Sequence, residues 1–294
     1  MSSELPPTEE ISVRSAGLDL LSTPRLVELL IGEQRDAVEA AMARTDAIGE
    51  AVDEIAARLE RGGVLHYVGA GTSGRLAMLD AAEMPPTFGT APELVRAHVA
   101  GGTPALTRSI EGAEDDAAAG DEAMRGGVSS SDAVVGISAS GSAAFVVAAI
   151  ERARSFGAFT VALTGSQHSA LARAANLAIV LATGAEALSG STRMKAGTAQ
   201  KIVLNAISTA VMVRMGRVYD NLMVDLVASN AKLRARAVRI VRAIAEVEEP
   251  AALELLAAAG GHVKLAIVMA RRGVNAAQAR ALLERTNGSL RTLL

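Results

Sequence analysis

The chain is predicted to be an α/β protein, a parallel sheet flanked by helices, with a small all-helical domain at its C-terminus. Three observations carry that expectation. Short apolar runs at residues 64–68, 94–99, 133–137, 159–163 and 177–181 alternate with helical periodicity, as when a helix returns each strand to a parallel neighbour. Half of the 294 residues are hydrophobic but only 2% are aromatic, so small aliphatic side chains and 27 glycines must build closely packed layers. From Tyr219 onward the apolar spacing is helical throughout.

Taken in order, the first seventeen residues are polar and acidic, with no charged-then-apolar leader pattern. Ser22-Thr23-Pro24 reads as an N-cap with proline in the first turn, and Leu26, Leu29, Leu30, Val38 and Met42 follow at helical spacing. A second helix is expected over 46–61, stopping at Gly62-Gly63. The strand at 64–68 enters a loop rich in glycine and hydroxyls, and a helix leaves that loop to end at Glu83, just before Pro85-Pro86. A long helix over 194–215 closes the sheet domain. Its apolar stretch is interrupted by Asn205, Ser208 and Thr209, and no run reaches the ~18 residues of a membrane span. Residues 232–247 form one arginine-bearing helix, and 251–258, 263–271 and 275–284 form three more, separated by Gly260-Gly261 and Gly273. The expected division is an arm and helix over 1–45, a sheet domain over 46–218 and a helical region over 219–294.

Composition narrows the chemistry. A net charge of −3 gives no general attraction to nucleic acid, and no membrane partner is expected of what reads as a cytoplasmic protein. The absence of cysteine excludes disulfides, thiolate catalysis and zinc–sulfur sites. His66, His98, His168 and His262 lack ligand spacing, so neither a metal nor an organic cofactor is expected.

The loop Gly69-Ala70-Gly71-Thr72-Ser73-Gly74 fits G-x-G-x-x-G, yet the acid a dinucleotide fold would place after the second strand is missing, since Glu93 precedes that strand. The loop is echoed by Gly136-Ile137-Ser138-Ala139-Ser140-Gly141-Ser142. Each loop follows a strand and opens a helix, where backbone N–H groups and the helix dipole favour an anion. Hydroxyls suit a monophosphate, so Gly71, Thr72, Ser73, Ser138, Ser140, Gly141 and Ser142 are the candidate phosphate ligands. Glu83, at the negative end of its helix, favours keeping a proton and is a candidate general acid. Within Glu111-Gly112-Ala113-Glu114-Asp115-Asp116, Glu114 is a candidate base only if folding carries it to the site, because acids at a helix start otherwise serve the dipole. In the run from Ala187 to Lys201, cations near a helix start oppose the dipole, so Lys195 or Arg193 is expected to face an anion or an acid, and Lys195 is a candidate substrate or phosphate ligand.

The segments VGAGTSGRLAMLDAAEMPPTFG, EGAEDD, SGSTRMKAGTAQK and YDNLMV resemble the N-acetylmuramic acid 6-phosphate etherase family, over nearly the whole chain from Leu18. That resemblance implies a sugar isomerase (SIS) domain with a ubiquitin-associated-like (UBA-like) helical tail, acting as a cofactor-free lyase and a homodimer. The expected substrate is a small sugar phosphate, and the lactyl ether at its C3 is the bond cleaved. By the same resemblance the catalytic carboxylates fall on Glu83, as acid, and Glu114, as base. This chain departs from the family at Ser142-Ala143-Ala144-Phe145, where relatives show a Thr-Pro-Tyr-like run, and at Met84, where many have cysteine. The rivals are an aldose–ketose isomerase and a sugar-phosphate-binding regulator resembling glucokinase regulatory protein. The latter carries two SIS domains, whereas this length accommodates one.

Overall fold

The computed structural model describes residues 6–226, 228, 230–286 and 288–294. In chain order it forms α1 (Thr23–Gly32), α2 (Arg35–Met42), α3 (Thr45–Glu60), β1 (Leu65–Gly69), α4 (Gly71–Phe88) and β2 (Val95–Val99). There follow α5 (Ala117–Met124), β3 (Ala133–Ser138), α6 (Ala144–Ser155), β4 (Phe159–Thr164), α7 (Ala170–Ala174), β5 (Leu177–Val180) and α8 (Lys195–Arg214). The remainder is β6 (Val218–Tyr219), β7 (Leu222–Met223), α9 (Ala231–Ala245), α10 (Glu249–Ala258), α11 (Val263–Arg272) and α12 (Ala276–Arg285).

The five expected strands form one all-parallel sheet in the order β2-β1-β3-β4-β5. Every residue of β1 and β3 is buried, because helices cover both faces. The chain steps from β1 to β2 on one side, then returns to pair β3 with β1 on the other. In open α/β sheets this reversal opens a crevice at the strand C-termini. Here Gly69 is in register with Ile137, so the two glycine–hydroxyl loops emerge side by side.

Contacts divide the chain into two compact units. One joins the N-terminal segment through Ala81 with Glu93–Ser208, and the other joins Ala82–Pro92 with Thr209–Leu294. The expected N-terminal arm is thus part of the sheet unit, and residues 82–92 group with the C-terminal helices. The arm is tied in by backbone bonds such as Gly190 N–H to the Thr8 carbonyl, 3.0 Å. The single helical run expected from Leu26 to Met42 is two helices, with alanines facing inward. Ala37, Ala40 and Ala41 are buried, whereas Val27, Ile31, Val38 and Met42 are exposed.

Two further departures have local causes. Helix α4 does not stop at Glu83 but continues through Pro85 and Pro86 to Phe88. Gly89, at φ +62°, ends it, and the Arg217 guanidinium donates to the Phe88 and Gly89 carbonyls at 3.3 and 3.5 Å. The terminal carbonyls that a helix leaves unpaired therefore gain a cationic partner. The C-terminal region is not wholly helical, because β6 and β7 form a small antiparallel hairpin turning at Asp220-Asn221, with Asp220 at φ +53°. Beyond it, α9 through α12 close around one core that includes Leu233, Val241, Ala252, Ile267 and Ala279. Asn230 caps α9, Gly273 ends α11 in the left-handed conformation, and Asn275 with Gln278 forms a capping box on α12. Among the described residues, no single helix is long and apolar enough to cross a membrane.

Two histidines that the sequence separates come together on neighbouring strands. His66 Nδ1 lies 3.0 Å from His98 Nε2, and the rings stack. Burial, with a smaller contribution from His98, lowers the His66 pKa from 6.5 to about 4. Between those values the unfolded chain takes up a proton that the folded chain refuses, so stability falls as pH drops from 6.5 towards 4. The shift is worth about 3 kcal/mol. Urea denaturation at pH 7 and pH 4 is expected to show the pH-dependence of His66→Leu reduced by that amount, and an unchanged dependence contradicts it.

Candidate active site

The first loop is shaped by backbone contact. A Cβ on Gly69 would lie 2.7 Å from the Gly74 nitrogen, and one on Gly74 would lie 2.7 Å from the Gly69 oxygen, so the start of α4 rests directly on the end of β1. Gly71 takes φ +54° and has open space beside it. The first-turn N–H groups of α4, from Gly71 to Ser73, precede its hydrogen-bond ladder and are available to an anion. Ser73 is buried and its hydroxyl donates to Gln200 Oε1 at 2.8 Å, which pins this loop to α8. Thr72 is only partly buried, and its hydroxyl has no protein partner among the described residues.

The second loop repeats the scheme at the end of β3. Ser138 is buried and its Oγ accepts from Gly141 N–H at 3.1 Å. Gly141 sits at φ +71°, and a Cβ there would meet Ser169 at 2.4 Å and Thr164 at 2.5 Å, so no side chain fits. The Ser140 and Ser142 hydroxyls lie 2.8 Å apart at the surface. Helix α6 then begins after Ala143 with no side-chain cap, leaving its first N–H groups for a bound oxyanion. The sheet thus brings Gly71, Thr72, Ser140, Gly141 and Ser142 to one edge, while Ser73 and Ser138 hold the loops in shape.

Glu114 lies on the 3-10 turn Ala113–Asp115, ahead of α5, and is exposed without a hydrogen-bond or ion-pair partner among the described residues. That turn packs against α6, and α5 crosses the first turn of α6 so closely that a Cβ on Gly120 would lie 2.0 Å from the Phe145 oxygen. Asp116 caps α5 by accepting from Ala119 N–H at 2.9 Å, which assigns it a structural task. The fold therefore carries the Glu114 turn to the helix that opens from the second loop, a placement that spacing alone does not show.

Glu83 is on α4, inside the helix and not at its end, and its side chain is exposed. The helix-end position from which the sequence marked it as an acid is therefore not found. Three residues earlier, Asp80 is buried and accepts from Tyr67 Oη at 3.0 Å, Asn205 Nδ2 at 2.6 Å and Ser208 Oγ at 3.0 Å. These bonds explain the polar residues inside the apolar stretch of α8, and they lock α4 to β1 and α8. Burial, and then the Asp80 charge, pushes the Tyr67 hydroxyl pKa well up, so it stays a donor.

Lys195 is 1% exposed and does not face open solvent. Its Nζ lies 3.0 Å from Glu33 and 2.7 Å from Asp36, and Arg14 bonds the same two carboxylates. The Arg14 hydrogen bond, reinforced by Lys195, holds the Asp36 carboxyl below the usual range. Buried Glu186 accepts the backbone N–H groups of Lys195 and Ala196 at 3.1 and 2.9 Å, capping α8 from outside the helix. Burial raises the Glu186 pKa against the pull of those two N–H groups. Gly197, two residues after Lys195, would place a Cβ 3.4 Å from the Thr72 side chain, so this cluster sets the α8 start beside the first loop. Of Arg193 and Lys195, Arg193 is the exposed one and has no ion-pair partner among the described residues. Glu33, Asp36 and Gln200 escaped the sequence reading because each acts across a long sequence separation, whereas Glu186 lies only nine residues before Lys195 and carries no motif of its own.

Residues 114–210 match the SIS domain family, and residues 47–154 match the glucokinase regulatory protein N-terminal SIS domain family. A phosphoheptose isomerase from Francisella tularensis superposes with a TM-score of 0.50 at 18% identity, over 65% of this chain and 98% of that one, a likeness of fold alone. The N-acetylmuramic acid 6-phosphate etherase of Gloeobacter violaceus is 49% identical over 284 residues, 96% of this chain and 93% of that protein. The chain belongs to the N-acetylmuramic acid 6-phosphate etherase family. Etherases of Mycolicibacterium smegmatis and Klebsiella aerogenes are 46% and 44% identical, each over 98% of this chain and over 97% and 96% of their own lengths.

Removing one partner of a buried charge cluster strands the others. Lys195→Met is expected to cost about 3–5 kcal/mol in urea denaturation. The exposed Arg193→Ala is expected to stay within about 0.5 kcal/mol of the parent. Equal effects of the two substitutions contradict this assignment.

Proposed function

We propose that this chain is an N-acetylmuramate 6-phosphate etherase that works as a cytoplasmic homodimer and uses Glu114 as base and Glu83 as acid. The observation that carries the reading is the pair of glycine–hydroxyl loops at adjacent strand ends, in a chain 49% identical to an etherase over nearly its full length. The 6-phosphate binds the first-turn N–H groups of α4 and α6 and the hydroxyls of Thr72, Ser140 and Ser142. This contact is remote from the reacting carbons, so it fixes the sugar without taking part in bond breaking.

The chemistry follows from the substrate. Once the pyranose opens, the C1 aldehyde acidifies the proton at C2. Glu114 takes that proton, the C3–O bond breaks, and Glu83 protonates the departing oxygen to release D-lactate. Water then adds to C3 of the C2=C3 alkene with Glu83 as base, and Glu114 returns a proton to C2. The product is N-acetylglucosamine 6-phosphate, and neither step changes an oxidation state overall. Both glutamates are exposed and have no hydrogen-bond or ion-pair partner among the described residues, which supports a role in meeting substrate. For Glu83 the acid role rests on family membership, not on a helix end.

A regulator built like glucokinase regulatory protein is less favoured. The described residues hold one five-stranded parallel sheet, and the full-length relatives are etherases. The dimer is supported by the outward apolar side chains of α1 and α2, since α1 buries none of its residues. A single monomeric species in sedimentation equilibrium would remove it.

Reaction in deuterated water separates the two glutamates. Glu83→Gln is expected to keep exchanging the substrate C2 proton while losing lactate release by about 10²–10⁴-fold, and Glu114→Gln is expected to lose both. Retained C2 exchange in Glu114→Gln would overturn the assignment of the base.

A further inference from the structure

A cavity in the C-terminal unit, about 570 Å³, is lined by none of the phosphate-loop residues. Its size is that of a small-molecule site. Arg217, Lys264 and Arg280 face two carboxylates there, Asp225 and Glu284, which leaves an excess of one positive charge. Lys264 is nearly buried, with Nζ 2.6 Å from Asp225 and 3.0 Å from the Gly216 carbonyl. Arg217 reaches the same Asp225 oxygen at 3.6 Å, so two cations share one carboxylate. Arg280 is exposed on α12 and has no ion-pair partner among the described residues. Burial lowers the Lys264 pKa against the attraction of Asp225, so a further anion nearby would favour its charged form. Leu226, Leu265 and Leu283 give the wall an aliphatic part, and His262 adds one further polar side chain. His262 and Gly261 lead into α11, whose start carries no side-chain cap and turns its first N–H groups to the same region.

We propose that this cavity binds a small aliphatic monocarboxylate. One surplus positive charge matches one carboxylate, whereas a dianionic phosphate would leave one negative charge uncompensated. The leucines match an alkyl body, which inorganic phosphate lacks. The site goes beyond the etherase reading and does not depend on it, because binding is read without turnover.

Isothermal titration of the full-length chain with sodium hexanoate tests the proposal. Saturable one-site binding is expected, weakened about tenfold in Arg280→Ala through loss of a charge-assisted hydrogen bond. Glu284→Gln is expected to tighten binding by about two- to fivefold, since it removes a like charge. Both positions are exposed on α12, so unchanged melting temperatures are expected to show that the variants fold. Equimolar inorganic phosphate should not displace hexanoate. Absence of saturable heat, an affinity unaffected by Arg280→Ala, or equal displacement by phosphate would each overturn the proposal.

Discussion

The parallel pairing of β1 with β3 is the constraint on which the site depends. It reverses the direction of strand addition next to β1 and sets Gly69 beside Ile137. Two loops sixty-odd residues apart then leave neighbouring strands at the same end of the sheet, and each opens a helix. Neither loop alone differs much from an ordinary serine-rich turn. Their adjacency sets two helix starts, each with a partial positive charge, at the ends of neighbouring strands.

Holding that geometry requires polar groups deep in the molecule. Asp80 gathers three donors and fixes α4 against the strand and the helix on either side of it. Lys195 joins α8 to two carboxylates of the N-terminal helices, and Glu186 satisfies the first amides of α8. A buried charge without its partners costs far more than an exposed one, so each cluster penalises any other arrangement of the same elements. Those clusters support the elements from which the loops leave, and the Thr72 hydroxyl has no protein partner among the described residues.

How much of this was readable from the sequence depended on the range of the interaction concerned. Strand runs, helix periods and caps are local, and all five parallel strands fall within a residue or two of their expected ends. The two loops were readable for the same reason, since strand, glycine and hydroxyl lie within one short segment. The end of α4 was not, because it depends on Arg217, distant in sequence, taking up the terminal carbonyls. The outward face of α1 and α2 is not legible in the sequence, since periodicity locates an apolar stripe without saying which side the core takes. Lys195 looked like a ligand group because its motif shows a cation at a helix start, and the acids that neutralise it lie some 160 residues away. The place of the Glu114 turn needed the close crossing of α5 on α6, which rests on Gly120 lacking a side chain.

The central claim is that the paired loops bind a phosphate so that a lactyl ether can be cleaved. The most direct test measures D-lactate released from N-acetylmuramate 6-phosphate and from unphosphorylated N-acetylmuramate under the same conditions. The account predicts stoichiometric lactate from the phosphorylated sugar and essentially none from the other. Equal release from both would contradict the phosphate cradle, and release from neither would contradict the etherase itself.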